Sequence, residues 1–287
     1  MILQTRVESG TAGRLISGYD GTMTLGSCFS DEIGRRLSET GFKVLCNPFG
    51  TLYNPASIAK SVELLAGGKH FTEGDIVRTP DGFASFFHHS RFNRPTADEF
   101  LDNANRCLER DSESFAKAGF VLVTYGTAWV FRHKERNMIV SNCHKLPAAE
   151  FERSRLDVEQ CAALTERMVS DFPGKTWIFT VSPIRHLADG AHGNRLSKAT
   201  LLLALDKALD GKKNAFYFPA YEIMDDELRD YRFYEENMTH PTGQAADYIF
   251  ERFADFAIDP SPECRERMAE ALKELKRTGH RQNAGRD

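Results

Sequence analysis

Gly119-Phe120-Val121-Leu122-Val123-Thr124-Tyr125 is the stretch on which the fold turns. Its apolar residues run on without the alternation of a half-exposed strand, which is the pattern of a strand covered on both faces in a parallel sheet. Thr176-Trp177-Ile178-Phe179-Thr180-Val181 repeats that pattern, and shorter runs at Gly21–Leu25, Phe42–Cys46 and Ala215–Pro219 extend it. Helical segments are predicted between them, over 31–39, 55–65, 96–117, 154–171, 197–209 and 245–256. Two carry explicit boundary signals: Pro55 opens a helix that Gly67-Gly68 closes, and Thr96-Ala97-Asp98-Glu99 is a capping box. Strand and helix alternate throughout, so the predicted class is α/β with a mostly parallel sheet.

A chain of 287 residues allows one large domain with appendages. Residues 1–20 read as an arm lying on the domain, 21–256 as its body, and 257–287 as a charged helix with a polar tail. Residues 69–97, rich in Phe and His, read as an insertion that covers or walls a site. The net charge of −4 implies no general affinity for nucleic acid. No apolar run approaches the ~20 residues of a membrane span, and no signal-peptide core follows Met1, so a cytoplasmic protein without a membrane partner is expected. The six cysteines form no C-x-x-C pair and suggest neither a zinc cage nor a disulfide framework. His88-His89 lacks a carboxylate at metal spacing, so neither a metal nor another cofactor is expected. Nothing in the sequence sets an oligomeric state.

In parallel sheets the functional loops lie beyond the carboxyl ends of the strands. This chain places its unusual residues there: Ser27 after the first strand, Gly50 after the second, Gly126-Thr127 after the third and Arg185-His186 after the fourth. The fifth strand leads to a loop ending in Asn237-Met238-Thr239-His240-Pro241. Acyl transfer needs a nucleophile, a base, a group that orients the base, and donors for the oxyanion. Ser27, at a strand-to-helix turn, suits the first role, since a helix N-terminus offers free N–H groups and a partial positive charge. His240 suits the second. Asn237, three residues earlier, is in reach to orient it through its carbonyl, and Asp230, Glu235 and Glu236 are nearby acids. Gly50 permits close approach of a backbone N–H, Thr127 offers a hydroxyl or amide, and Trp129 offers a pocket wall. Arg185, His186 and Asn142 are further substrate-binding candidates. Each feature also has a plainer explanation, as a turn glycine, a core Trp, a surface ion pair or a His before Pro.

Taken in order, these blocks are recognisable. Gly26-Ser27-Cys28-Phe29-Ser30, Asn47-Pro48-Phe49-Gly50-Thr51-Leu52-Tyr53-Asn54-Pro55, Tyr125-Gly126-Thr127-Ala128-Trp129-Val130 and Asn142-Cys143-His144-Lys145 resemble the GSCFA-domain family. So do Ser182-Pro183-Ile184-Arg185-His186 with Asp189-Gly190 and Ser197-Lys198-Ala199, Tyr217 through Met224, Asp230 through Tyr234, and His240-Pro241. Ser30 stands where the family's name has Ala. The resemblance covers roughly residues 20–255 and places the chain near the SGNH/GDSL hydrolases. It implies a flavodoxin-like three-layer α/β/α fold and a Ser–His catalytic pair, Ser27 and His240, with Gly50 as an oxyanion glycine. Two positions depart from the SGNH pattern. Thr127 stands after Gly126 where an Asn donor is usual, leaving Asn142 as a substitute, and Asn237 stands where an Asp usually precedes the His. The implied activity is hydrolysis of an ester, with an O-acyl (acetyl) group on a carbohydrate or a small molecule as substrate. The alternative is a ligand-binding protein on the same fold, weakened or inactive in catalysis. A third reading makes Cys28 the nucleophile.

Overall fold

The apolar runs form a single parallel sheet in the computed structural model, which describes residues 5–17, 20–266 and 269–270. In chain order the elements are β1 (Gly21–Gly26), α1 (Cys28–Glu39), β2 (Val44–Cys46), α2 (Pro55–Gly67), β3 (Ile76–Thr79), β4 (Gly82–Ser85), α3 (Ala97–Lys117) and β5 (Ala118–Tyr125). There follow β6 (Trp129–His133), β7 (Met138–Val140), β8 (Phe151–Arg155), α4 (Val158–Asp171), β9 (Thr176–Val181), α5 (Gly190–Leu209), β10 (Ala215–Tyr217), the single turn α6 (Ala220–Glu222) and α7 (Gly243–Ala257).

Among the described residues the central sheet runs β10-β9-β5-β1-β2, all pairs parallel. Numbered among themselves these strands have the order 2-1-3-4-5, that of flavodoxin-like folds, with its switch point between β1 and β5. The stretch 119–125 lies at the centre. Its Val121, Val123 and Tyr125 pack in a core with α2, α3, α4 and α5, while Phe120 and Leu122 pack on the other face with α1 and α7. Both faces are buried, which is why the strand reads as a continuous apolar run. Full burial of each such side chain contributes about 1.5–3 kcal/mol. The result is three layers, α/β/α.

Boundaries shift where local signals and packing differ. The capping box at Thr96 and Glu99 opens α3 as expected. The helix expected from Ser154 begins later, because 151–155 is strand β8 and Asp157 caps α4, with Gln160 completing a capping box. The helix expected from Ser197 starts earlier, at Gly190, across a segment containing Gly190 and Gly193 that propensity disfavours. The segment 69–97 holds the hairpin β3–β4, and 129–155 forms a second, antiparallel sheet, β7-β6-β8. These strands of three to five residues were not legible as strands. The arm lies against α7: the Ala12 and Ile16 N–H groups donate to the Phe256 and Ala257 carbonyls at 2.8 and 2.7 Å. The charged C-terminal segment is helical over 262–266 and 269–270, and the tail expected beyond lies outside the described residues.

Candidate functional site

Ser27 is the N-cap of α1, 1% exposed, with its Oγ accepting the Phe29 N–H at 3.4 Å. The turn that carries it is built on Gly26, whose φ of +138° is a left-handed value that side chains avoid, and a Cβ there would collide with the Thr124 carbonyl oxygen. Gly26→Ala is therefore expected to lower the free energy of unfolding by about 3 kcal/mol or more. Urea denaturation checks this, and a variant as stable as wild type would contradict the geometry.

The loop after β2 buttresses this turn. Asn47 Oδ1 accepts the Gly26 N–H at 2.8 Å, its Nδ2 donates to Asp31 Oδ1 at 2.8 Å, and the Leu52 N–H donates to the Gly26 carbonyl at 2.9 Å. The Gly50 N–H donates to the Asn47 carbonyl at 2.8 Å, and the His89 side chain covers Gly50. Gly50 is thus a turn glycine, and its amide is not presented to a substrate as the sequence had suggested. The Gly126 and Thr127 amides are likewise engaged, both donating to the Tyr53 carbonyl, at 2.8 and 2.9 Å. They hold the 51–55 segment against the end of β5. The Thr127 Oγ1 accepts from the Trp129 N–H and meets Ser197 Oγ at 3.0 Å.

His240 arrives on a loop pinned to the end of β9. The Arg185 N–H donates to the Thr239 carbonyl at 3.1 Å, its guanidinium reaches the Met238 carbonyl at 3.3 Å and lies 4.9 Å over the Tyr234 ring. Arg185 therefore positions the loop. Asn237 folds back on His240, in an orientation opposite to the expected one. Its Oδ1 accepts two backbone N–H groups, from Thr239 at 2.8 Å and His240 at 3.0 Å, so its Nδ2 is the atom that faces His240 Nδ1, at 3.1 Å. An amide nitrogen only donates, so Nδ1 accepts and the neutral ring carries its proton on Nε2. Among the described residues no hydrogen bond joins Asp230, Glu235 or Glu236 side chains to the ring; Asp230 instead accepts the Arg232 N–H at 2.9 Å.

Ser27 and His240 line one cavity of about 710 Å³ at the carboxyl end of the sheet. Cys28, Tyr53, Asn54, Thr127, Asn142, Arg185 and His186 share it, whereas Gly50 and Gly126 do not contribute to its lining. The antiparallel sheet supplies the outer wall through Trp129, Phe131 and Arg153. Arg153 stacks 4.0 Å over Trp129 and pairs with Asp189. From the aromatic insertion only His89 lines the cavity; His88 is buried among Phe49, Phe71, Phe92 and Phe100, its Nδ1 2.7 Å from Ser85 Oγ. Asn54, Tyr53 and Arg153 escaped the sequence reading. Pro55 marks the start of a helix, but nothing in the chain marks the residue before it as facing a cavity.

Burial shifts two groups near the ends of β5 and β9. His186 Nε2 is buried without a partner among the described residues, and burial, then Lys198, then His240 push the ring down to about 4. Lys198 is 1% exposed, and its Nζ donates to the Gly126 and Ser182 carbonyls at 2.8 and 2.7 Å, stapling the ends of β5 and β9. Burial lowers it from 10.5 to about 7, and a neutral amine has two hydrogens for those two carbonyls. Between these values the unfolded chain holds a proton that the folded chain has released, so stability rises with pH from about 7 toward 10.5. The stability of wild type relative to Lys198→Met is expected to grow over that interval, by at most about 1.4 kcal/mol per pH unit. Denaturant titrations at pH 7, 8 and 9 check the sign, and a constant difference would show Lys198 charged in the folded protein.

Strand order, a helix-capping serine and a histidine in one cavity at the switch point define an α/β domain with a candidate serine-type site. A sequence model of the GSCFA family matches residues 21–253, and the chain belongs to that family. No curated protein matches it. Among solved structures the chain is similar to an acetyl xylan esterase, Est2A, from the rumen bacterium Butyrivibrio proteoclasticus, with a TM-score of 0.40 and 9% identity. That match covers 84% of this chain and 64% of the other, so the chain spans less than two thirds of that structure. Among the described residues no helix is long and apolar enough to cross a membrane, and no group of three or more His, Cys, Asp or Glu is arranged to hold a metal.

Proposed function

We propose that this protein is a serine-type ester hydrolase with intrinsically slow turnover. In this reading Ser27 Oγ attacks the acyl carbonyl carbon, its proton passes to His240 Nε2, and the carbonyl π pair moves onto oxygen. Collapse of the tetrahedral intermediate expels the alcohol oxygen, which takes that proton, and water then repeats the sequence on the acyl-Ser27 ester. The observation that carries the reading is that a serine capping a helix N-terminus and a histidine with its Nδ1 held by a neighbour line the same cavity. Slow turnover follows from the tautomer, because a ring protonated at Nε2 must shift its proton before it accepts one. The GSCFA resemblance to SGNH enzymes supports an O-acyl sugar or other small ester as substrate. A fluorophosphonate probe is expected to modify Ser27, located by peptide mass spectrometry, and to leave Ser27→Ala unmodified. Labelling of Cys28 instead, with Ser27→Ala fully active, would move the nucleophile to the thiol.

The Asn237 geometry favours a second reading, a ligand-binding protein on a hydrolase scaffold. There His240 Nε2–H serves as a fixed donor to a bound ligand. The two readings part on the Asn237→Asp variant.

A further inference from the structure

Four amides that the motif pattern offers to a substrate oxygen are already engaged: Ser27 with Thr124 O at 3.2 Å, Gly50 with Asn47 O, and Gly126 and Thr127 with Tyr53 O. Acyl transfer still needs donors where negative charge develops. Two donors at or beside the Ser27 turn are suited to that role and have no acceptor among the described residues. One is the Cys28 amide, in the first position of α1, where helix geometry provides no acceptor. The other is Asn54 Nδ2. Asn54 is 6% exposed and lines the cavity, and its Oδ1 accepts the Ser57 N–H at 2.8 Å to cap α2. That bond commits the oxygen to the helix, and the amide nitrogen has no acceptor among the described residues.

The backbone around Asn54 is held on both sides. Leu52 bonds to Gly26, next to Ser27, and the Tyr53 carbonyl receives the two amides at the end of β5. Asn54 thus stands between the ends of β1 and β5, at the switch point of the sheet. Asn142, the residue expected to supply this donor, follows β7 on the outer wall, with its Oδ1 accepting the His144 N–H at 2.8 Å. Capping alone does not call for Asn at 54, because Ser and Asp cap comparably well.

We infer that Asn54 Nδ2, together with the Cys28 amide, forms the oxyanion-binding site of this cavity; the inference rests on the serine-hydrolase reading above. Asn54→Ser and Asn54→Asp both keep an acceptor for the Ser57 N–H and remove the amide donor. Each is expected to lower kcat on a short-chain acyl ester about 10²-fold, with KM within about threefold of wild type and the melting temperature nearly unchanged. The rate of Ser27 phosphonylation by the fluorophosphonate falls with kcat, since that attack also builds charge on an oxygen. Full turnover in Asn54→Ser overturns the inference, as does a loss confined to Asn142→Ala. A wild-type protein labelled at Ser27 while both Asn54 variants remain active removes only this inference. Absence of labelling, with wild type and Ser27→Ala equal in turnover, removes the hydrolase reading and this site with it.

Discussion

Replacing Asn237 by Asp is expected to raise ester turnover by a factor of about 10² to 10⁴, the reverse of what an Asp-to-Asn change costs a serine protease through the wrong histidine tautomer. The geometry for the gain is in place. One side-chain oxygen of residue 237 already accepts the Thr239 and His240 N–H groups, and an aspartate keeps both bonds. Its second oxygen then occupies the position of Nδ2, 3.1 Å from His240 Nδ1, and accepts rather than donates. Nδ1 becomes the protonated nitrogen and Nε2 is freed to act as a base. Steady-state kinetics on a short-chain acyl ester measure the change. An unchanged rate in a folded Asn237→Asp protein would support the ligand-binding reading.

The second large effect is the loss on Ser27→Ala, and its size depends on the first. Removing the nucleophile from a complete triad costs about 10⁶ in kcat, whereas removing the acid alone costs about 10⁴, and these losses do not add. With Asn237 in place most of the second loss has already been incurred, so Ser27→Ala is expected to lower wild-type turnover about 10²-fold. In the Asn237→Asp background the same replacement is expected to cost correspondingly more. A loss of equal size in both backgrounds would show that Ser27 and His240 do not act as a unit. Ser27→Ala also removes a helix cap, worth about 1 kcal/mol, so a thermal melt accompanies the kinetics. Its 3.4 Å bond to the Phe29 N–H is long, which puts the stability loss at the lower end.

The meeting of Ser27 and His240 at one cavity was legible in the ordered blocks that resemble a family, and the contact of Asn237 with His240 in their spacing. The roles of Gly50, Gly126 and Thr127 were not. A glycine or threonine at a strand end has the same sequence signature whether its amide faces a substrate or a carbonyl; here Gly50 donates within its own turn, to Asn47, while Gly126 and Thr127 donate to Tyr53 in a separate loop. The Asn237 amide illustrates the same limit within one turn. Spacing predicted that it meets His240, but two backbone N–H groups decide which end of the amide does so.

By itself the sequence determined the layered α/β class, since continuous apolar runs such as 119–125 have to be covered on both faces and the segments between them are helical in period. It also determined which strand ends carry polar chemistry. Only the tertiary structure decided which donors are left over at the cavity. Hydrogen-bond capacity is satisfied by whichever partners the chain brings together in space, and here Tyr53 O, Asn47 O and Thr124 O take the Gly126, Thr127, Gly50 and Ser27 amides, while Cys28 and Asn54 line the cavity beside them.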